Sequence, residues 1–349
     1  MRPELTFFCE LAAEPLAALF ETPGLVHQLA THHYGVALAI GDYSAERAAV
    51  VRCLNDAGVR VHAWLLLPPE DGYWFNLRNY PQAFAGYHAF QAWAKAEQLH
   101  FHAVGIDIEP SLGDLQAAQQ RGPRHLFDRA YLAQQNALYP AARDAYYDLA
   151  AMIRHDGYQV HTYQYPFIVD DRRAGTTVIQ RMLDIVDVPA DHEVLMVYSS
   201  VLTPIIGNDL HGAFVHSYGP HADGLGVGST GGGVVLDPVT GAQAPRLSLD
   251  AWERDLRIAA QYTEHVHVFS LEGCVERGWF HRVAVLDWSA VPRVPVAKRV
   301  QMGLLRSMIG TGLWVSRYGM LAVGWSGWLV AGGMLLARIL GRWRTRGQP

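Results

Sequence analysis

The feature that most constrains this chain is a repeated change of hydrophobic period. From its first residues to about residue 290, apolar runs of strand length alternate with stretches of helical spacing. That alternation is the pattern of βα units laid into a parallel sheet. Strands are read at 5–11, 34–41, 59–67, 100–109, 158–165, 193–200 and 266–271, with another inside 224–229. Helices are read between them, the second over 45–57, where Ser44 supplies the N-cap and Gly58 the stop. A segment at 279–288 reads as a further strand or a closing piece. Eight such units predict a (β/α)8 TIM-like barrel, a fold of about 250 residues before insertions. An open doubly wound sheet is the alternative. It is usually marked by a glycine-rich phosphate loop after its first strand, and neither GxGxxG nor GxxxxGK[ST] follows the first strand here. The one glycine-dense stretch, 224–233, comes late, lacks a Lys and reads as a flexible βα loop.

The fourth strand carries the residues of most interest, in the run Phe101-His102-Ala103-Val104-Gly105-Ile106-Asp107-Ile108-Glu109-Pro110. With a period of 2, Val104, Ile106 and Ile108 share one face and Gly105, Asp107 and Glu109 the other. The two carboxylates then stand roughly 6–7 Å apart from Cα to Cα. Pro110 cannot donate to a central ladder, so the strand ends where the second acid appears. Acids at the carboxyl ends of buried parallel strands are where α/β folds keep their chemistry.

Half of the 349 residues are apolar and only 17% are charged, which excludes a disordered chain and suits a compact domain plus something greasier. A formal net charge of −5 offers no general attraction to nucleic acid, so no nucleic-acid partner is expected. Cys9, Cys53 and Cys274 are far apart, odd in number and without CxxC spacing, as isolated thiols or core residues are. The N-terminal ten residues carry no export signal pattern. From Tyr318 to Ala337 there is no charged residue over about the 20 needed to cross a bilayer. Arg338, Arg342, Arg344 and Arg346 follow at once. The reading is therefore a barrel over 1–290, a linker and amphipathic segment over 291–317, and a C-terminal apolar helix over 318–340 ahead of a basic tail, 341–349. That helix is expected to be a single membrane span, making the protein membrane-associated, with a buried or amphipathic terminal helix as the alternative.

The end of the fourth strand resembles that of the chitinase-like glycoside hydrolases of family 18, where it reads D-x-x-D-x-D-x-E. Asp107 and Glu109 match the last two acids, and His102 and Gly105 stand where the pattern has its first two. Met196-Val197-Tyr198 is similar to the family's M-x-Y, and Phe269 stands where the family places a Trp at the sugar floor. The resemblance implies a glycosidase barrel acting on an N-acetyl amino-sugar glycan. In it Glu109 is the general acid, Asp107 orients the acetamido group and Tyr198 helps to hold it.

Read for their chemistry alone, two adjacent carboxyls share a proton, and like-charge repulsion lifts one of them towards neutral pH. Glycosidic cleavage needs such an acid and a second group for the oxocarbenium-like centre. Trp64, Tyr73, Trp74 and Tyr165 are candidates for stacking on sugar rings, and Asn76 and Gln164 for bonding hydroxyls. Glu10, Asp42 and Glu272 lie near other strand ends as possible extra acids; if Phe269 faces inward, Glu272 faces out. Two alternatives stand beside the hydrolase reading: a non-catalytic barrel that binds a glycan or a protein, and a metal-dependent hydrolase. The histidines show no HExxH or regular ligand spacing, so neither metal nor organic cofactor is expected.

Overall fold

The computed structural model describes residues 2–114, 116, 136–235, 241 and 243–346. Eight strands close into one parallel barrel in chain order: β1 (Glu4–Cys9), β2 (Gly35–Ile40), β3 (Val61–Leu65), β4 (Ala103–Asp107), β5 (Gln159–Gln164), β6 (His192–Met196), β7 (Gly224–Gly228) and β8 (His265–Phe269). Closure is made by β8 against β1, with Phe8 opposite Phe269. Helices follow the strands as the change of period requires. The one over Ala45–Asp56 is capped by the Ser44 side chain, which accepts from the Arg47 amide, and it is stopped at Gly58, φ +74°. The glycine takes that left-handed conformation without the Cβ penalty other residues meet.

Strand alternation sorts the apolar residues into two cores. Leu5, Phe7, Val36, Leu38, Val104, Ile106, Val266 and Val268 face outward and pack under the helices. Phe8, Ala37, Ala39, Trp64, Tyr163, Val194, Met196 and Phe269 fill the lumen. The lumen is stratified. At mid-height Phe8, Trp64 and Tyr163 meet edge to face, with centroids 4.7–6.2 Å apart. Below them, towards the strands' amino ends, lie His62, His161 and His267; above them lie the acids.

Large rings fit because small residues face them. A Cβ on Gly105 would stand 2.5 Å from Tyr163 Cε2 and 2.7 Å from its hydroxyl, and Tyr163 is fully buried. Gly105→Ala is therefore expected to overpack the lumen by about 1–3 kcal/mol. The effect should appear as a lower urea midpoint at unchanged slope. An unaltered midpoint would mean that Tyr163 is not fixed there.

The segment at 279–288, read as a further strand or a closing piece, contains a short helix, Phe280–Ala284. Beyond it one helix of 51 residues runs from Val296 to Arg346. Its first half lies against the barrel's flank, where Met302 and Leu313 are buried and Arg306 pairs with Asp170 at 2.8 Å. The membrane span expected over 318–340 falls largely on residues whose side chains lie outside those described. Among the described residues, no helix is long and apolar enough to cross a membrane.

Candidate active site

Three acids converge at the carboxyl-end mouth of the barrel. Glu10 follows β1 by one residue and Asp107 is the last residue of β4. Glu109 keeps the inward alternation beyond the strand because the loop after β3 extends the ladder. The Phe75 amide donates to the Asp107 carbonyl at 3.1 Å and the Glu109 amide to the Phe75 carbonyl at 3.0 Å. Asn76 and Asn79 fold that loop: Asn79 Oδ1 accepts the Asn76 amide at 2.7 Å, and both side-chain amides donate to the Trp74 carbonyl. Asn76 thus shapes the loop from a buried position.

Each acid has an aromatic partner. Trp64 Nε1 donates to Asp107 Oδ2 at 3.0 Å, the Tyr73 hydroxyl to Glu10 Oε1 at 2.6 Å, and the Tyr165 hydroxyl to Glu109 Oε2 at 2.8 Å. None of the three forms an ion pair among the described residues. Burial raises Glu109 to about 7 and Glu10 to about 8. Burial, then the charges of Glu109 and Glu10, raise Asp107 well above the carboxylate range. Among the described residues, Asp107 Oδ1 is buried without a hydrogen-bond partner. The charge of Glu109 raises Asp107, and a hydrogen bond with Asp107 lowers Glu109, so the two titrate as a pair.

Tyr198 stands beside Phe269, centroids 5.7 Å apart, over the inward face of the glycine-rich β7. A Cβ on Gly226 would come within 3.2 Å of its ring. Trp74 packs edge to face on Tyr73 at 5.0 Å. The loop 231–233 approaches from the other side. Its three glycines have φ of +140°, +76° and +80°, and a Cβ on Gly233 would lie 2.9 Å from Phe269 and 3.0 Å from Glu10 Oε2. The glycines let backbone lie directly on the acid and the ring. The sequence reading of this stretch as merely flexible missed that close approach.

Besides Asn76, whose polar groups are spent on the loop, three expected residues are elsewhere. Gln164 has the outward parity on β5 and donates to the Val186 carbonyl at 3.2 Å, so it faces the helix layer. Asp42 pairs with Arg47 at 2.6 Å in the loop after β2. Burial opposes its ionisation, but hydrogen bonds from Arg47 and Ser44 outweigh this and hold it at about 2. Phe269 does face inward, and Glu272 lies outside the lumen in the first turn of a helix capped by Ser270. From there Glu272 Oε1 accepts the Glu10 amide at 3.3 Å and braces the end of β1.

Burial also raises Glu272 to about 7. Glu10, Glu109 and Glu272, with ordinary values of 4.5, therefore retain protons in the folded chain that the unfolded chain has released. Through these three acids the folded state binds extra protons between about pH 4.5 and 8, so their contribution to stability falls as pH rises through this window, whereas the buried histidines, with lowered values, act in the opposite sense below about pH 6.5. Above pH 7, where those histidines are neutral in both states, urea midpoints measured up to about pH 9 should decline, and Glu10→Gln should flatten the decline. A midpoint that rises from about pH 7 to 9 would refute the burial of these acids.

No family model matches the chain, and no curated protein matches it. Among solved structures it is similar to the crystal structure of AP endonuclease, family 2, from Brucella melitensis, with a TM-score of 0.41 and 12% identity over 80% of this chain and 99% of that one. The resemblance to the chitinase-like family 18 enzymes is corrected by these findings, since no family model supports it. The lumen supplies a local reason: Tyr163 occupies the space that an acid at position 105 would need.

Proposed function

We propose that this barrel is a hydrolase that cleaves glycosidic bonds by carboxyl acid–base catalysis at its carboxyl-end mouth. The observation that carries the reading is the convergence of Asp107 and Glu109, at the end of β4, with a third acid, Glu10, just after β1, all three raised by burial above the usual carboxylate range. An acid that stays protonated at neutral pH can donate to a leaving oxygen. Glu109, hydrogen-bonded by Tyr165, protonates that oxygen, and Asp107 shares the proton with it. Glu10, once ionised, supports the oxocarbenium-like centre or activates water. Tyr73, Tyr198 and Phe269 offer aromatic ring faces of the kind that stack on sugars. Among the described residues no cation pairs with the three acids, which favours a neutral substrate over a phosphorylated one.

A second reading, a barrel that binds a glycan without cleaving it, is favoured by one observation. Each acid already has an oxygen engaged by an aromatic side chain. A metal-dependent hydrolase draws support from other donors, His62, His161 and His267, but the Phe8–Trp64–Tyr163 layer separates them from the mouth. The test is to incubate the full chain with N-acetylated and plain oligosaccharides, measuring new reducing ends and, in parallel, quenching of tryptophan fluorescence. Turnover of either class supports the hydrolase. Saturable quenching without turnover supports the binding barrel, and neither signal overturns both.

A further inference from the structure

We propose that the lumen binds one divalent transition-metal ion, of the zinc class, through His62, His161 and His267. These residues lie on β3, β5 and β8 and are nearly a hundred or more positions apart in the chain, so no local spacing announces them. The inward parity of all three strands brings them together. One ring nitrogen from each lies within 4.8 Å of the other two, and theirs is the one such group of possible ligands among the described residues.

The second observation is what the rings lack. All three side chains are at least 95% buried. Among the described residues, Nδ1 of His62, Nδ1 of His161 and both ring nitrogens of His267 have no hydrogen-bond partner. Buried polar atoms are seldom left unpaired, and several that converge from three strands call for a common partner. A small cation satisfies one nitrogen of each ring at once. Burial, with the neighbouring histidines, holds His62 and His267 well below the usual imidazole range and brings His161 to about 3. The rings are thus neutral near pH 7, the form that ligates metal.

The surroundings favour zinc, copper or nickel over magnesium or calcium, which prefer oxygen ligands. Zn–N bonds of about 2.0–2.1 Å in a tetrahedral site set the nitrogens about 3.3 Å apart, so the rings must draw in by roughly an ångström. His192 stands next to the group, 4.9 Å from the His161 ring and 5.9 Å from that of His267, and can supply a fourth ligand. Gly224 makes room for it, since a Cβ there would lie 2.7 Å from His192 Nε2. Above, Phe8 and Tyr163 cover His267 at 5.6 and 6.2 Å. The ion therefore sits apart from the acidic mouth and ties three strands across the lumen.

The test uses the full chain, stripped with a chelator and titrated with zinc alone by calorimetry, with cobalt(II) as a spectroscopic probe. The expected result is one zinc per chain, a higher thermal midpoint with zinc, and the strong visible absorption of four-coordinate cobalt. His161→Leu and His267→Phe should abolish stoichiometric binding while circular dichroism reports a folded barrel. Should either variant fail to fold, His62→Gln keeps a polar group of similar reach and should still weaken zinc at least tenfold. Glu10→Gln and Glu109→Gln should bind zinc like the parent. No stoichiometric binding by the parent overturns the proposal. So does binding that survives the histidine variants, or binding lost in the glutamate variants.

Discussion

Glu109→Gln should lower turnover of any glycoside the protein cleaves by about 10²–10⁴-fold, the usual contribution of a positioned general acid. The substitution keeps the shape and the Tyr165 hydrogen bond while removing the transferable proton. Ligand affinity and the unfolding midpoint near pH 5 should stay close to those of the parent, because Glu109 is largely neutral there. Asp107→Asn should also slow turnover by leaving Glu109 without the group that shares its proton. If Glu109→Gln retains full activity, the mouth is not the catalytic site.

Arg306→Ala should destabilise the chain by about 3–5 kcal/mol, the range for removing one partner of a buried ion pair. Arg306 Nε and Nη2 donate to Asp170 Oδ1 at 2.9 and 2.8 Å, and Nη1 donates to the Ser217 carbonyl at 2.6 Å. The guanidinium lies 4.1 Å over the Tyr218 ring, whose hydroxyl donates to Asp170 Oδ2. Both charged side chains are nearly enclosed, at 11% and 6% exposure. Truncation leaves Asp170 buried without its counter-charge. Adding Asp170→Asn should recover part of the loss, since the orphan is then neutral. Urea unfolding of the two variants checks this. A cost under about 1 kcal/mol, as for an exposed pair, would mean that the long helix is not docked on the barrel.

The barrel was legible because change of hydrophobic period is a local signal: each strand can be read within its own ten residues, and the eight parallel strands fall where the apolar runs place them. The acids of β4 were legible for the same reason. What escaped depends on which residues share a level of the lumen, and that is set by pairings between distant strands. Yet a trace was present, in His62-x-Trp64, His161-x-Tyr163 and His267-x-Phe269, each a histidine two positions before an aromatic ring on an inward face. Read together, these runs describe a histidine level beneath an aromatic one. Gln164 was misread through parity, since it is one residue out of step with Tyr163 and Tyr165. The run at 279–288 admits both a strand and a closing piece because a short apolar stretch has no decisive period. There the Trp279 amide bonds back to the Cys274 carbonyl and a helical turn follows.

The central claim is that a proton stays at the barrel's mouth near neutral pH, and carboxyl-carbon NMR tests it most directly. In protein labelled at the glutamate side-chain carboxyl, the resonance missing from Glu109→Gln identifies Glu109. The account predicts that this resonance titrates near pH 7, because burial outweighs the hydrogen bonds from Tyr165 and Asp107 that lower it. A single titration near 4.5, the ordinary glutamate value, would contradict it.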